Sequence, residues 1–321
     1  MAYVKGTKEK GWLEFKYRNT EEPIRFPIGT IYGASDGPNL VVLGGMHGCE
    51  FCGIEAAIRL FNEVDPIKLS GTLTIGTIYN MPAHLNYAGF VVPQDGKNPM
   101  STFPGSPLGT FGEVMAFYFD QEVLSKADYF VELHGGDIPE ALTPFNRWVA
   151  TGNADQEEKA KAMAIAYNIP LVVKDPYEQN LPPNAAYIIT AGRGKPAILC
   201  ESGQQGILDM QYVNIHLTGL RNTLVHLGMM PGTIVNNVKR KFIENYVFVR
   251  TDQTGLWYPD IKVSQLAKKE QVVGQIRDVF GQTIQDVQSP IEGVVTCIRT
   301  SPMIQPGNVI FELGELVSQE A

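Results

Sequence analysis

Two residues that follow an apolar run have the types and spacing of metal ligands. His47 and Glu50 lie three residues apart in the stretch Gly44-Gly45-Met46-His47-Gly48-Cys49-Glu50. At that separation an imidazole nitrogen and a carboxylate oxygen can both reach one metal ion. A catalytic zinc takes three protein ligands and keeps a fourth position open. A catalytic zinc site at this stretch would therefore need a third ligand and a general base from elsewhere in the chain.

His134 and Glu201 each follow another apolar run of the chain. In open α/β sheets, functional side chains lie outside the carboxyl ends of the strands. We therefore expect one pocket, in which His47, Glu50 and His134 hold one Zn²⁺ per chain. Glu201 is then the general acid/base. Taken singly, His134 also suits a turn and Glu201 also suits a cap, so the prediction depends on their common placement.

This set of groups predicts hydrolysis of an amide. Zinc lowers the pKa of a water to about 7. A carboxylate such as Glu201 can take the proton of that water and later pass it to a leaving amine. The expected partner is therefore a small-molecule amide.

The elements that position these residues alternate between strands and helices up to about residue 227. This alternation predicts an α/β fold with a layered, doubly wound sheet. The pattern changes near Pro231-Gly232, after which short strands are separated by Gly and Pro. We expect a catalytic domain over 1–234 and a small all-β domain over 235–321.

Composition limits the remaining classes of function. The 321 residues carry a net charge of −8, which argues against nucleic acid or an anionic membrane as partner. The N-terminus lacks the apolar core of a signal peptide, and four cysteines are few. We therefore expect a cytoplasmic protein. Cys49 and Cys52 suit either a redox or zinc pair or simple packing beside a helix start.

Several of these stretches resemble the succinylglutamate desuccinylase/aspartoacylase family, which is related to the zinc carboxypeptidases. The resemblance lies in Gly-Gly-Met-His-Gly-Cys-Glu, Glu-Leu-His-Gly-Gly and Glu-Ser-Gly, taken in order, and in landmarks around Asn80 and Asn98. It implies a mixed, mostly parallel sheet flanked by helices, a C-terminal β domain and one zinc. It also implies hydrolysis of an N-acyl bond, and by position it gives the same ligands and the same acid/base.

The sequence departs from the family pattern where substrate is bound. Family arginines that bind carboxylates are missing, and no arginine occurs between Arg59 and Arg147. Two acidic residues, Asp137 and Glu140, follow His134 instead. We therefore expect a neutral or cationic substrate group, with Lys97 and Arg147 as alternative anion partners. The residues expected to contact substrate are Asn80, Asn98, Asp137, Glu140 and Arg147.

Three functions remain open at this point. The first is a zinc-dependent deacylase acting on non-peptide C–N bonds. The second is a metallocarboxypeptidase, against which the missing arginines count because a terminal carboxylate needs an anchor. The third is a non-catalytic zinc-binding relative, although Glu201 and the three ligands are all present. The family resemblance also implies a homo-oligomer.

Overall fold

The computed structural model describes residues 4–18, 23–177 and 184–320. Its α-helices over these residues are α1 Phe51–Glu63, α2 Met81–Asn86, α3 Phe111–Glu122, α4 Ala154–Ala166, α5 Ala186–Gly192 and α6 Met210–His226. Short 3₁₀ helices cover Pro99–Ser101 and Leu124–Lys126. The strands are β1 Thr7–Phe15, β2 Ile24–Tyr32, β3 Ser35–Leu43, β4 Ser70–Gly76, β5 Tyr129–His134, β6 Glu140–Leu142, β7 Phe145–Ala150, β8 Leu171–Pro176, β9 Ala197–Glu201, β10 Lys241–Arg250, β11 Gly255–Pro259, β12 Leu266–Ala267, β13 Val272–Arg277, β14 Thr283–Gln288, β15 Gly293–Arg299, β16 Met303–Ile304 and β17 Val309–Gln319.

One large mixed sheet organises the described residues. Its strand order is β1-β2-β4-β3-β5-β9-β7-β8-β10-β17-β15-β12, and β6 pairs with β15 at the side. The centre of the sheet is parallel, since β4, β3, β5 and β9 all run the same way. The outer pairs β1–β2 and β10–β17 are antiparallel. The predicted α/β fold with a mixed sheet and flanking helices is confirmed.

The central strands form because their residues are apolar throughout and are covered on both faces. Leu40, Val42 and Val131 belong to the core beneath α1 and α6, whereas Val41 and Phe130 belong to the core beneath α3 and α5. Such continuous apolar runs are typical of strands buried on both faces. Because β3, β5 and β9 are parallel neighbours, their carboxyl ends meet at one edge of the sheet.

The C-terminal residues extend this sheet and also build a second one. Strands β10, β17 and β15 continue the large sheet, and β14-β13-β11-β16 form a separate antiparallel sheet. A cluster around Trp257 and Phe311 packs between them. The small C-terminal β region is thus present, although the division at residue 234 stays a prediction.

The long segment 81–110 contains helix α2 and one of the short 3₁₀ helices. Helix α2 begins there, with the Asn80 side chain accepting a hydrogen bond from the backbone N–H of Ala83 and a proline in the first turn. Both features are typical helix starts. None of the helices in the described ranges is long and apolar enough to cross a membrane.

Candidate functional site

A tight turn after β3 positions His47 and Glu50. The turn needs Gly45, whose φ of 65° lies in the left-handed region that favours glycine. It also needs Gly48, where a Cβ atom would lie 2.3 Å from the backbone nitrogen of His84. The turn ends at Glu50, the residue before α1. Both side chains are thereby buried at the carboxyl edge of the sheet.

The register of β5 and β9 brings His134 beside Glu201. These are the last residues of the two parallel strands, and they are direct partners in the pairing. His134 is 1% exposed, so it faces the interior of the site. The three strand ends identified in the sequence therefore converge in the structure.

Both imidazoles direct the same ring nitrogen toward Glu50. His47 Nδ1 lies 2.6 Å from Glu50 Oε1, and His134 Nδ1 lies 2.9 Å from Glu50 Oε2. The ring centroids are 5.1 Å apart. One ligand atom from each of the three residues lies within 4.8 Å of the others. This geometry suits a single cation bound between them.

The opposite nitrogens show which atoms are free to bind a metal. His47 Nε2 donates to Asn98 Oδ1 at 3.1 Å, and His134 Nε2 donates to Glu132 Oε1 at 3.0 Å. Because both acceptors lack a proton, the hydrogens lie on Nε2 and the Nδ1 lone pairs face Glu50. The two Nδ1 lone pairs and the Glu50 carboxylate oxygens are all acceptors, so they need extra protons or a cation between them. Glu50 Oε2 is moreover buried without a hydrogen bond. The donor set therefore fits a divalent metal such as zinc.

The charges around these groups also favour a cation. Burial lowers the pKa of both His47 and His134, but the Glu50 carboxylate outweighs it and raises both values above the ordinary range. Burial acts to raise the pKa of Glu50, and the two imidazoles lower it to about 2. The Glu50 carboxylate thus makes the site favourable for a positive charge.

Glu201 has the environment of a general base. The pKa of its carboxyl is raised to about 7, mainly by burial; His134 lowers it, and Glu50 and Glu312 act with burial to raise it. Its Oε2 is buried and has no hydrogen-bond partner among the described residues. A base whose pKa lies near neutrality can both accept and return a proton.

These side chains open onto one cavity of about 560 Å³. Its wall includes His47, Glu50, His134 and Glu201 on one side. The C-terminal strands supply much of the other side, including Phe248, Arg250, Cys297, Arg299 and Glu312. The site is therefore built from both halves of the chain.

Of the five residues expected to contact substrate, three line this cavity: Asn98, Glu140 and Arg147. Asn98 holds His47, as described above. Arg147 uses Nη1 to contact both carboxylate oxygens of Asp175 at 3.1 Å. Its guanidinium also lies 3.9 Å from the ring centre of Tyr246. Arg147 is therefore already occupied by contacts within the protein.

The other two expected contacts hold the backbone and are not among the residues that line the cavity. Asn80 caps α2 and donates to the carbonyl oxygen of Val91. Asp137 accepts from the backbone N–H groups of Phe90 and Ile138. Both side chains are fully buried. The alternative anion partner Lys97 pairs with Glu113 at 2.7 Å.

Sequence reasoning missed several residues of the site. Glu132 stands two residues before His134, and this period-two spacing on a strand could have indicated it. Arg299 and Glu312 reach the cavity through strand pairing far from the motifs, so no local pattern marks them. The buried thiols of Cys49 and Cys52 are unpaired by any disulfide, and Cys52 Sγ donates to the Ile207 carbonyl at 3.2 Å. This agrees with the packing interpretation.

The fold and the His-Glu-His cluster are those of an α/β protein with a candidate metal centre at the carboxyl edge of a mixed sheet. The family model for the succinylglutamate desuccinylase/aspartoacylase catalytic domain matches residues 36–227, more than half of the chain. The chain belongs to this family. The family predicted from the sequence is confirmed.

Similar proteins agree with this assignment. The chain is 25% identical to N-alpha-acetyl-L-2,4-diaminobutyric acid deacetylase of Halomonas elongata, over 96% of this chain and 92% of that protein. A succinylglutamate desuccinylase/aspartoacylase from Rhodobacter sphaeroides has the same fold, with a TM-score of 0.86, 22% identity and 98% of each chain covered. The product-bound ectoine utilization protein EutE (DoeB) from Ruegeria pomeroyi also has this fold, with a TM-score of 0.86 and 23% identity. The match covers 98% of this chain and 97% of that chain.

Proposed function

We propose that this protein is a zinc-dependent deacylase that hydrolyses the N-acyl bond of a small amine or amino acid. The observation that carries the proposal is the convergence of three ligand groups with a fourth carboxylate, Glu201, in one cavity. Family membership supports hydrolysis of this kind. The deacetylase relative acts on an N-acetylated amino acid by its name, which supports the same substrate class.

The protein's own residues divide the chemistry among them. Bound zinc supplies a Lewis acid that polarises a carbonyl and makes a water more acidic. Glu201 takes the proton of the attacking water and returns it to the leaving nitrogen. Asn98 and Glu132 fix the orientation of the two imidazoles through their Nε2 atoms. The apolar wall residues Leu142 and Leu199 limit the access of bulk water.

The test separates metal binding from catalysis. Glu201→Gln keeps the size of the side chain and removes its basicity, so we expect about one zinc per chain and a loss of hydrolysis of about 10²- to 10⁴-fold. Hydrolysis is measured with a panel of N-acetyl and N-succinyl amino acids, and metal by elemental analysis. Glu158→Gln, an exposed carboxylate on α4, is the matched control.

Two outcomes would overturn the proposal. If the wild-type protein bound no zinc, the proposed metal site would be wrong. If Glu201→Gln hydrolysed its substrates at the wild-type rate, Glu201 would not be the general base. Preference for peptides with a free C-terminus over N-acyl amino acids would instead favour the carboxypeptidase alternative. Zinc without hydrolysis of any substrate would favour the non-catalytic alternative.

A further inference from the structure

Two arginine side chains of the C-terminal strands line the cavity without an acidic partner. Arg250 is the last residue of β10 and Arg299 is the last residue of β15, and both belong to the cavity wall. Over residues 4–18, 23–177 and 184–320, neither forms an ion pair with a carboxylate. We call Arg250 and Arg299 the arginine pair.

The strand register brings the arginine pair to nearly the same level of the sheet. On the intervening strand β17, Phe311 pairs with Val249 of β10 on one side and with Ile298 of β15 on the other. Strands β10 and β15 are each antiparallel to β17, so they run parallel to each other. The residues that follow, Arg250 and Arg299, therefore flank β17, with their backbones two strand spacings or about 10 Å apart.

Arg299 holds an unused donor inside the protein. Its Nε atom is buried and has no hydrogen-bond partner among the described residues. The cross-strand partner of Arg299 is Glu140, but Oε2 of that carboxyl accepts from the backbone N–H of Asp137 instead. A buried donor without a partner costs free energy. An acceptor supplied by a ligand in the cavity would remove this cost.

Arg250 also keeps most of its donors for the cavity. Its Nη1 donates to the carbonyl oxygen of Gly307 at 2.7 Å, which orients the guanidinium. A guanidinium carries five N–H donors, so this one bond leaves the others for a ligand. Arg147 differs, because its Nη1 contacts both carboxylate oxygens of Asp175. The unpaired positive charge of the wall therefore lies on the arginine pair.

We propose that Arg299 is a specificity-determining residue, which binds a carboxylate group of the substrate together with Arg250. This inference rests on the proposed function and assigns the contact to side chains that the sequence motifs did not indicate. The two oxygens of a carboxylate lie in one plane and match the fork of N–H donors on a guanidinium. An ammonium group fits this place poorly, because it offers donors to donors.

The order of strands places the arginine pair away from the proposed reaction centre. The candidate metal ligands belong to the ends of β3 and β5, Glu201 follows on β9, and β10, β17 and β15 come after β7 and β8. The arginine pair would therefore contact a part of the substrate that does not react. Such contacts act on affinity and orientation and do not transfer protons. We expect their loss to raise KM more than it lowers kcat.

The test compares substrates that differ only in the proposed contact. Each N-acetyl amino acid of the panel is paired with its C-terminal carboxamide, which keeps the shape and removes the charge. For the zinc-loaded wild type we expect kcat/KM to favour the acid about 10- to 100-fold, as for hydrogen bonds between charged groups. Arg299→Gln should reduce that preference about 10-fold or more, mainly by raising KM for the acid.

Two further variants complete the test. Arg299→Lys keeps the positive charge but lacks the fork of donors, so it should retain part of the preference for the acid. Arg59→Gln, an exposed arginine on α1, is the matched control and should keep the preference in full. Equal loss of preference in Arg299→Gln and Arg59→Gln would show that the effect does not arise in the cavity and would overturn the proposal.

The remaining outcomes separate the arginine pair from the proposed function. If the wild type hydrolyses acid and carboxamide equally well, the role of Arg299 is wrong and the deacylase stands. If no compound is hydrolysed, calorimetry with zinc-loaded protein decides the matter without catalysis. Tighter binding of an acid than of its carboxamide, lost in Arg299→Gln, would support the proposal, and equal binding or binding of neither would overturn it. A preference for the acid that persists in Arg299→Gln would assign the carboxylate to another partner, such as the zinc, and would overturn it as well.

Discussion

Glu132 Oε1 accepts a hydrogen bond of 3.0 Å from Nε2 of His134, one of the candidate metal ligands. Glu132 is fully buried, and its Oε2 accepts from the backbone N–H of Tyr187 at 3.0 Å. The carboxylate therefore fixes both the tautomer and the orientation of this imidazole. Carboxylates in this position typically make the metal ligand more basic.

Glu132→Gln tests this relationship. The amide is neutral and also offers a donor to groups that already donate, so we expect metal affinity to fall about 10- to 100-fold while the fold is kept. Zinc affinity is measured by competition with a chelator, and the fold by circular dichroism. Glu122→Gln, half-exposed and paired with Lys126, is the matched control. Unchanged affinity in Glu132→Gln would show that His134 is positioned without it.

His216 holds the backbone of the two strand ends together. Its Nε2 lies 2.9 Å from the carbonyl oxygen of His134 and 3.1 Å from that of Ser202, while Nδ1 faces the Tyr167 hydroxyl at 2.9 Å. Because both carbonyls are acceptors, the proton lies on Nε2 and Tyr167 donates to Nδ1. His216 is thus a positioning residue for the ends of β5 and β9.

His216→Phe should lower kcat more than it raises KM. The loss removes the donor that joins the His134 and Ser202 carbonyls, and the His134 carbonyl keeps only the backbone N–H of Ser202. His134 and Glu201 can then shift relative to each other, and small displacements of reacting groups can cost about 10²-fold in rate. Steady-state kinetics with zinc-loaded protein measure the split. Tyr167→Phe keeps the imidazole and removes one hydroxyl, so it should have a smaller effect. A large rise in KM with constant kcat would contradict a positioning role.

The pH dependence of hydrolysis should reflect Glu201. This carboxyl must be ionised to accept a proton, and burial raises its pKa to about 7 in the metal-free protein. A dication beside it stabilises the ionised form and lowers that value. We therefore expect log kcat/KM to fall with unit slope as the pH drops below a point at or below 7. A log kcat/KM that rises as the pH drops from 7 to 5 would exclude Glu201 as the base.

The same raised pKa has the opposite effect on the stability of the metal-free protein, which should fall as the pH rises. Between the ordinary glutamate pKa of 4.5 and about 7, the native state binds more protons at Glu201 than the unfolded chain does. The contribution of Glu201 to the free energy of unfolding therefore falls as the pH rises through this window. Denaturant melts at pH 5 and pH 8 measure it, and Glu201→Gln should flatten the dependence.

Arg147 and Asp175 form a buried ion pair that supports the wall of the cavity. Their side chains are 7% and 5% exposed, and the guanidinium also stacks on Tyr246. Arg147→Met would leave the Asp175 carboxylate buried and unpaired, which costs about 3–5 kcal/mol of stability. Denaturant unfolding measures the loss. The double variant Arg147→Met/Asp175→Asn should recover much of it, and equal stability of all three proteins would contradict the prediction.

The sequence was sufficient for the sheet and for the convergence of the candidate metal ligands because both depend on local patterns. The apolar runs before His47, His134 and Glu201 predict buried strands, and parallel neighbours place their carboxyl ends together. Residue type and position then determine the chemistry. The prediction that three strand ends form one site needed no knowledge of distant contacts.

The substrate side of the cavity could not be predicted in the same way. The missing arginines near the motifs favoured a neutral or cationic substrate group, with Lys97 and Arg147 as alternative anion partners, yet Arg250 and Arg299 also line the cavity from β10 and β15. The position of Arg299 depends on the pairing of β6 with β15, which joins residues more than 150 positions apart, and that of Arg250 depends on the pairing of β10 with β17. Asp137 was expected to contact substrate because it follows His134 closely in the sequence. Its carboxylate instead accepts hydrogen bonds from backbone N–H groups.

The pairing of β6 with β15 also means that the wall of the pocket and the strand ends that carry the proposed reaction centre are encoded in separate stretches of the gene. Exchanges confined to residues 297–312 change what faces Glu140 without altering residues 44–50 or the ends of β5 and β9. Substitutions in this one C-terminal hairpin can thus reshape the wall of the pocket while the residues at the strand ends stay the same.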